Sequence, residues 1–374
     1  MLAGYPSLLY NKPKMLRDDP CEKYRLIGIL KKRVLVGPYS LHLHIINSCN
    51  LACAYCWYHA PHQTPRGRPR FQTGQKIDTA ALFKTLDECR KLRVRHICIS
   101  AKGEPTVHPE FEEIVDYARS KGFLLTLQTN GTFPDRLLNA VSKINDVRIN
   151  LSATTASEYQ KLQANNNQFF FDQVIRNIAY LGKFPRHKLR VCIHYILNAA
   201  NYQGLPAIFK IAKEFDVKEL AIRYIRTNRT NQHLRLTPAI LKACETILGE
   251  LYRDPAYAHT NANVFYNYRE FGYFLERTAK SRDPGHCYLG WFKAFLTEEG
   301  NVWGCCSVNN EFLIGNILKR SFTQLWCSRE YQAFRAKGAS GFLSRTFDAC
   351  RSCCFLEENT NIRDAKDSLK LPSA

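Results

Sequence analysis

The 374-residue chain has no apolar run approaching the length of a membrane span and no charged-then-apolar leader. Its start, Met1 to Pro20, is polar and carries Pro6, Pro13 and Pro20, which excludes a signal peptide there. Low-complexity tracts are missing, as is any repeat beyond an alternation of strand and helix patterns, so a repeat array is not expected. Acid is also scarce: 33 Asp and Glu stand against 53 Lys and Arg, a formal net charge of +20. That excess favours an anionic partner such as a nucleic acid, a nucleotide, an acidic peptide or an anionic lipid surface, and an inert basic surface is the plain alternative. What the chain does have is 45% hydrophobic and 12% aromatic residues, a composition that folds. Its 15 cysteines, without a leader, point to a reducing cytoplasmic setting where thiols serve as metal ligands or as buried apolar residues.

One stretch organises the rest, Cys49-Asn50-Leu51-Ala52-Cys53-Ala54-Tyr55-Cys56. Just before it, Leu41 to Ile46 reads as a strand with a buried apolar side, so the cysteines sit on the loop leaving that strand. A closed zinc site uses four ligands, whereas three thiolates hold three corners of a cubane iron–sulfur cluster and leave one iron open.

Residues 1–38 read as a lead-in, with a strand pair over Tyr24 to Val36, and Pro61 to Gly74 as a long surface loop. Strand patterns then recur at His96 to Ser100, Phe123 to Gln128, Val147 to Leu151, Val191 to Leu197 and Leu220 to Ile225. Helical patterns separate them at Thr79 to Leu92, Pro109 to Lys121, Pro134 to Ile144, Phe171 to Leu181 and Leu205 to Phe215, and a last helix starts at Pro238. Six strands alternating with helices imply a parallel α/β sheet with right-handed crossovers, either doubly wound or a partial barrel. Polar residues at period two (His42 and His44, Thr126 and Gln128, Arg148, Asn150 and Ser152, His194 and Asn198, Arg223) would line one concave face, which favours a partial (β/α)6 TIM-like barrel over a sheet buried on both sides. The barrel is expected over residues 39–254, an aromatic linker over 255–283, a small cysteine-rich domain over 284–358 and a frayed polar tail over 359–374. Cys21, Cys89, Cys98, Cys192, Cys244 and Cys327 lie mostly at apolar periodic positions and are expected in the core.

With an aromatic residue before its last cysteine, the triplet resembles the signature of the radical SAM enzymes, in which the open iron is chelated by the amino and carboxylate groups of S-adenosylmethionine (SAM). After the second strand, Ser100-Ala101-Lys102-Gly103-Glu104-Pro105 looks like that family's Gly-Gly-Glu-Pro turn, which contacts the methionine amino group. Gly103 permits close backbone approach and Glu104 is suited to accept from an ammonium, while Lys102 replaces the family's first glycine. Thr129-Asn130-Gly131, after the third strand, is a turn often seen there in the family. By position, the resemblance carries SAM contacts onto Ser152, Asn198 and Arg223 beside Gly103, Glu104 and Pro105. It assigns no catalytic side chain.

Toward the C-terminus, a hairpin from Phe295 to Trp303 leads to Cys305 and Cys306, and Cys350, Cys353 and Cys354 follow. The thiolates of Cys287, Cys305, Cys350 and Cys353 would close a second site, with Cys306 and Cys354 as neighbours able to substitute. Four thiolates suit iron–sulfur or structural zinc. The pattern resembles the SPASM/Twitch extension of radical SAM enzymes. No cysteine follows Cys354, where a full SPASM domain continues, which implies one auxiliary 4Fe–4S cluster rather than two.

The resemblance implies reductive cleavage of SAM to methionine and a 5'-deoxyadenosyl radical, followed by hydrogen abstraction from a peptide or small anionic substrate. It also implies an electron donor such as flavodoxin or ferredoxin. Arg226 and Arg229, at the exit of the sixth strand, are candidates to clamp a substrate carboxylate or phosphate. Modification of RNA or a nucleotide is the alternative that the charge favours. A zinc-bearing nucleic-acid-binding protein is the non-enzyme alternative, and it leaves the three-cysteine loop and the Gly-Glu-Pro turn unexplained.

Overall fold

In the stretch Ser40-Leu41-His42-Leu43-His44 the leucines point to one face and the histidines to the other, and this period of two sets the two sides of the whole sheet. The computed structural model describes residues 19–60, 74–163, 169–185, 187–217, 219–225, 227, 231–257, 285–306, 312–347, 350, 353 and 355–369. A helix, α1 (Glu22–Leu30), precedes β1 (Ser40–His44), after which come α2 (Thr79–Lys91), β2 (His96–Ser100), α3 (Phe111–Ser120), β3 (Leu124–Thr129), α4 (Leu138–Ser142) and β4 (Asp146–Asn150). The series continues with α5 (Ala156–Leu162), α6 (Phe169–Gly182), β5 (Arg190–Leu197), α7 (Leu205–Glu214), β6 (Glu219–Tyr224) and α8 (Pro238–Arg253). The six strands pair in sequence order, all parallel. This is the expected partial (β/α)6 barrel.

The helices cover the apolar face. Leu41, Leu43, Ile97, Ile99, Leu125, Leu127, Val147, Ile149 and Ile193 are all fully buried in one core cluster with Leu82, Leu86, Ile114 and Ile178 from the helices. Asp78 starts α2 as expected, its carboxylate accepting from the Ala81 N–H at 2.7 Å. On the opposite, concave face stand the polar residues of the same strands. The Nδ1 of His96 meets Ser40 Oγ at 2.8 Å and its Nε2 meets Thr126 Oγ1 at 2.9 Å, while Arg148 is paired to Asp146 at 2.9 Å.

The C-terminal part continues this sheet. β7 (Lys293–Leu296) pairs parallel with β1, in register Ser40 to Lys293 through Leu43 to Leu296, and β8 (Asn301–Trp303) and β9 (Leu313–Asn316) follow antiparallel. The result is one nine-stranded sheet, ordered β6-β5-β4-β3-β2-β1-β7-β8-β9. Helices α9 (Phe322–Trp326), α10 (Arg329–Ala339), α11 (Phe342–Thr346) and α12 (Leu356–Asp367) complete the described chain. Among the described residues no helix is long and apolar enough to cross a membrane.

Several expectations are corrected. Tyr24 to Val36 contains a helix rather than a strand pair: Leu26 and Ile29, three residues apart, lie on one buried face against Tyr288, Trp291, Phe292 and Ile362. The tail after Glu358 is helical through Asp367, and its fully buried Ile362 docks it to that same cluster. One large apolar contact outweighs an otherwise polar composition. The pattern over Pro134 to Ile144 is split into a 3-10 turn, Asp135–Leu137, and the short α4. The helix α5, capped by Thr155, went unforeseen. Cys327 is exposed, because it follows the last turn of the short α9, whereas Cys21, Cys89, Cys98, Cys192 and Cys244 are buried as expected. The expected aromatic linker lies outside the described residues from 258 to 284.

Burial lowers the pKa of His44 to about 4 and of His96 to about 3, so both imidazoles are neutral in the fold. In the unfolded chain they protonate near the ordinary histidine value of about 6.5. Their contribution is therefore whole above that value and is lost as the pH falls toward 4, at no more than about 1.4 kcal/mol per pH unit for each. Urea unfolding between pH 7.5 and 5 should show this decline, and a His96→Gln variant should show a shallower one.

Candidate active site

Loop residues cannot hold metal thiolates in place unless something braces their backbone, and here three neighbouring segments do so. From α5 and the residue after it, the Leu162 carbonyl accepts from Ala54 N–H at 2.9 Å and the Gln163 carbonyl from Cys53 Sγ at 3.8 Å. From β4, Asn150 Oδ1 accepts from the Tyr55 hydroxyl at 3.0 Å. From the turn after β3, Asn130 Nδ2 donates to Asn50 Oδ1 at 2.8 Å and Thr132 Oγ1 accepts from Asn50 Nδ2 at 2.7 Å. The aromatic residue before the last cysteine is thus a strut to β4.

Backbone donors face the sulfurs themselves. Cys56 Sγ accepts from the N–H groups of Tyr58 and His59 at 3.3 and 3.2 Å, and Cys49 Sγ from Leu51 N–H at 3.5 Å. Burial pushes the Cys49 thiol up to about 12, with Glu104 and Cys56 adding repulsion, and Cys53 far up, with Cys56 and Cys49 adding to it. Cys56 is raised by burial as well. Three thiols within electrostatic reach of one another, two of them supplied with N–H donors and all resisting ionisation, suit a polycation that would stabilise the thiolates. The donor set fits a cubane cluster with one iron left free.

The Gly-Glu-Pro turn lies against this loop. A Cβ on Gly103 would stand 1.8 Å from the Ser48 carbonyl oxygen, so the position admits glycine alone, and Glu104 N–H donates to that same oxygen at 2.8 Å. Glu104 is 2% exposed and bears four donors: Oε1 accepts from Thr106 N–H, Thr106 Oγ1 and Thr129 Oγ1 at 3.1, 2.7 and 2.7 Å, and Oε2 from Asn130 N–H at 2.7 Å. Burial raises its pKa, and the donors pull the other way. Pro105 opens the 3-10 turn that Glu104 caps. Glu104 is therefore first a brace between two turns.

The residues expected by position lie in different settings. Ser152 is fully buried, its hydroxyl donating to Asn150 Oδ1 at 3.0 Å and accepting from Ile196 N–H at 2.9 Å. Asn198 is likewise buried, donating to the Ile196 carbonyl and accepting from Ala200 N–H, both at 2.9 Å. Both side chains are engaged in joining β4 to β5 and in shaping the turn after β5. Arg223 is half-buried on the concave side, and the pKa of His194 is lowered by burial first, with the charges of Arg148 and Arg223 adding to it. Arg226 and Arg229 lie outside the described residues. Sequence reading missed Gln163, a fully buried amide whose Oε1 accepts from Ser152 N–H at 2.7 Å and whose Nε2 donates to the Asn150 carbonyl at 3.2 Å. No local signal marks it, because the helix that it follows was not foreseen either.

In the C-terminal part, Cys287, Cys305 and Cys350 come within electrostatic reach of one another, and Cys353 Sγ accepts from Phe355 N–H at 3.4 Å. Burial pushes Cys287 up to about 12 and Cys350 to about 11. Cys354 lies outside the described residues. Among the described residues, no three Cys, His, Asp or Glu side chains are drawn together as a single metal ion would hold them.

Residues 43–203 match the Radical SAM superfamily, and residues 287–354 match SPASM, an iron–sulfur cluster-binding domain. This chain is a radical SAM enzyme with a SPASM domain. It is 22% identical over 352 residues to the tungsten-containing aldehyde ferredoxin oxidoreductase cofactor-modifying protein of Pyrococcus furiosus, covering 88% of this enzyme and 89% of that protein. It is 23% identical to the mycofactocin maturase MftC of Mycobacterium tuberculosis, covering 86% and 80%. Streptococcus suis SuiB, solved with its precursor peptide SuiA, shares the fold at a TM-score of 0.60 and 14% identity, over 90% of this enzyme and 76% of that chain. SuiB has also been solved bound to SAM. The radical SAM domain implies a 4Fe–4S cluster and SAM, and the SPASM domain implies auxiliary iron–sulfur.

The enzyme's departure from the family turn has a structural partner. Lys102 Nζ lies 3.0 Å from Glu298 Oε1, on the turn between β7 and β8, with side chains 12% and 0% exposed. The Lys102 carbonyl also lies 3.1 Å from His59 Nε2, just past the cysteine loop. This ion pair ties the SAM-domain turn to the SPASM hairpin. Breaking a buried pair on one side costs about 3–5 kcal/mol, much more than replacing both partners by apolar groups. Thermal unfolding should thus show Lys102→Met as strongly destabilising and Lys102→Met/Glu298→Met as largely restored. Gly103→Ala, through its clash with Ser48, should lower reductive SAM cleavage at least about tenfold, roughly 1.4 kcal/mol. Absorbance of the auxiliary cluster should persist in that variant.

Proposed function

We propose that the enzyme abstracts a hydrogen atom from a peptide substrate, holding its catalytic cluster on Cys49, Cys53 and Cys56 and one auxiliary 4Fe–4S cluster on Cys287, Cys305, Cys350 and Cys353. The carrying observation is the triplet loop, braced on three sides and pressed against the Gly103–Glu104 turn, with a second set of cysteines in the C-terminal part whose strands extend the same sheet. With its cofactors bound, the site supplies a 5'-deoxyadenosyl radical by reductive cleavage of SAM. The chain's own work is positional. Glu104 and Asn130 fix the two turns that border the loop, and Oε2 of Glu104, with one donor against three on Oε1, is the oxygen with capacity left for the SAM ammonium. Gly103 lets the backbone of that turn come close.

A peptide is the favoured substrate because MftC is a maturase and SuiB is seen with a precursor peptide. The formal charge of +20 suits an acidic one. Electrons would come from a donor such as flavodoxin or ferredoxin. Peptides encoded beside the gene, synthesised with deuterium on their side chains, test the reading directly. Incubated anaerobically with the reduced enzyme and SAM, the true substrate should yield deuterated 5'-deoxyadenosine. Unlabelled 5'-deoxyadenosine from every such peptide, alongside turnover of a non-peptide metabolite, would overturn it.

A further inference from the structure

Helix α12 lies beyond the residues that match the SPASM domain, which end at 354, yet it reaches back to the first cysteine of that domain. Asn359, 4% exposed, accepts with Oδ1 from Tyr288 N–H at 2.8 Å and donates from Nδ2 to the His286 carbonyl at 2.8 Å. Cys287 is the residue between those two backbone groups. Its own N–H donates to the Gly338 carbonyl at 2.9 Å, and a Cβ on Gly338 would stand 2.5 Å from the Cys287 carbonyl oxygen. The backbone carrying Cys287 is therefore gripped from α12 on one side and from α10 on the other.

The helix that provides Asn359 is itself firmly seated. Ile362 is fully buried with Leu26, Tyr288 and Trp291. Glu358 pairs with Lys293 of β7 at 3.1 Å, with side chains 17% and 5% exposed. The Lys293 ammonium in turn lies 4.7 Å from the ring centroid of Phe355, whose N–H donates to Cys353 Sγ. One short segment thus touches two proposed ligands, Cys287 through Asn359 and Cys353 through Phe355.

We propose that α12 is an integral wall of the auxiliary-cluster site and that Asn359 is a positioning residue for the ligand Cys287. This rests on the reading that Cys287 is a ligand. An alanine at 359 leaves the buried Tyr288 N–H and the part-buried His286 carbonyl without their partner on either side of Cys287, and that cysteine loses one of the two holds on its backbone. An aspartate keeps the acceptor for Tyr288 N–H and loses the donor to His286.

The test uses the full chain, reconstituted anaerobically, with Asn359→Ala, Asn359→Asp and Cys287→Ala compared by iron content and by electron paramagnetic resonance of the reduced clusters. The change that SAM produces in the spectrum of the triplet-bound cluster reports that the barrel is folded. Asn359→Ala should keep that change while iron falls from about eight toward about four per chain, or the auxiliary signal shifts. Asn359→Asp should fall between it and the unaltered enzyme. If Asn359→Ala does not fold, Asn359→Asp is judged by the same two readouts against the unaltered enzyme. Full iron and an unshifted auxiliary signal in the folded variant, with Cys287→Ala losing that signal, overturns the positioning role alone. Full retention in Cys287→Ala as well overturns the ligand reading beneath it.

Discussion

The carboxylate of Glu104 is the tie on which the catalytic end of the molecule depends. It is buried with four donors from two turns, one after β2 and one after β3, so those turns cannot separate without stranding a charge or a set of donors. Through Asn130 the same tie reaches Asn50, inside the cysteine loop, and through its own N–H it reaches Ser48 just before that loop. Strand order brings these segments side by side, and one acid fixes their spacing. A residue that resemblance places against a ligand is thus equally a structural keystone.

The alternation of strands and helices was legible because the barrel's two faces differ chemically. Leu, Ile and Val at every second position met helices with matching stripes, and the strands expected at His96 to Ser100 and Val191 to Leu197 fell where the pattern placed them, the second beginning one residue earlier at Arg190. The cysteine triplet and the Gly-Glu-Pro turn were legible because metal ligation and close backbone approach each demand particular residue types. Contacts that depend on distant pairing were not. Nothing local in Glu22 to Leu30 reveals that its apolar face will meet Trp291 and Ile362, and nothing in Asn359 reveals the backbone of residue 288. Ser152 and Asn198 show that polar residues at strand ends serve backbone geometry whether or not they also serve a ligand.

Lys102 shows how a departure from a family pattern can be absorbed. Where the family carries a glycine, this chain carries a long cation, and the turn between β7 and β8 supplies the buried acid to meet it. The exchange links two parts of the enzyme by charge in addition to the sheet that they already share. Such a pair adds little to net stability relative to an apolar substitute, but it penalises any arrangement in which the two turns part.

The parallel pairing of β7 with β1 also bears on how the chain comes off the ribosome. β1 is made early, and one of its edges has no partner until Lys293 to Leu296 has emerged. Throughout that interval the nascent barrel presents an open row of backbone donors and acceptors beside its cysteine loop, the kind of edge that recruits other strands. Synthesis of the last strands is thus also the step that seals the first one.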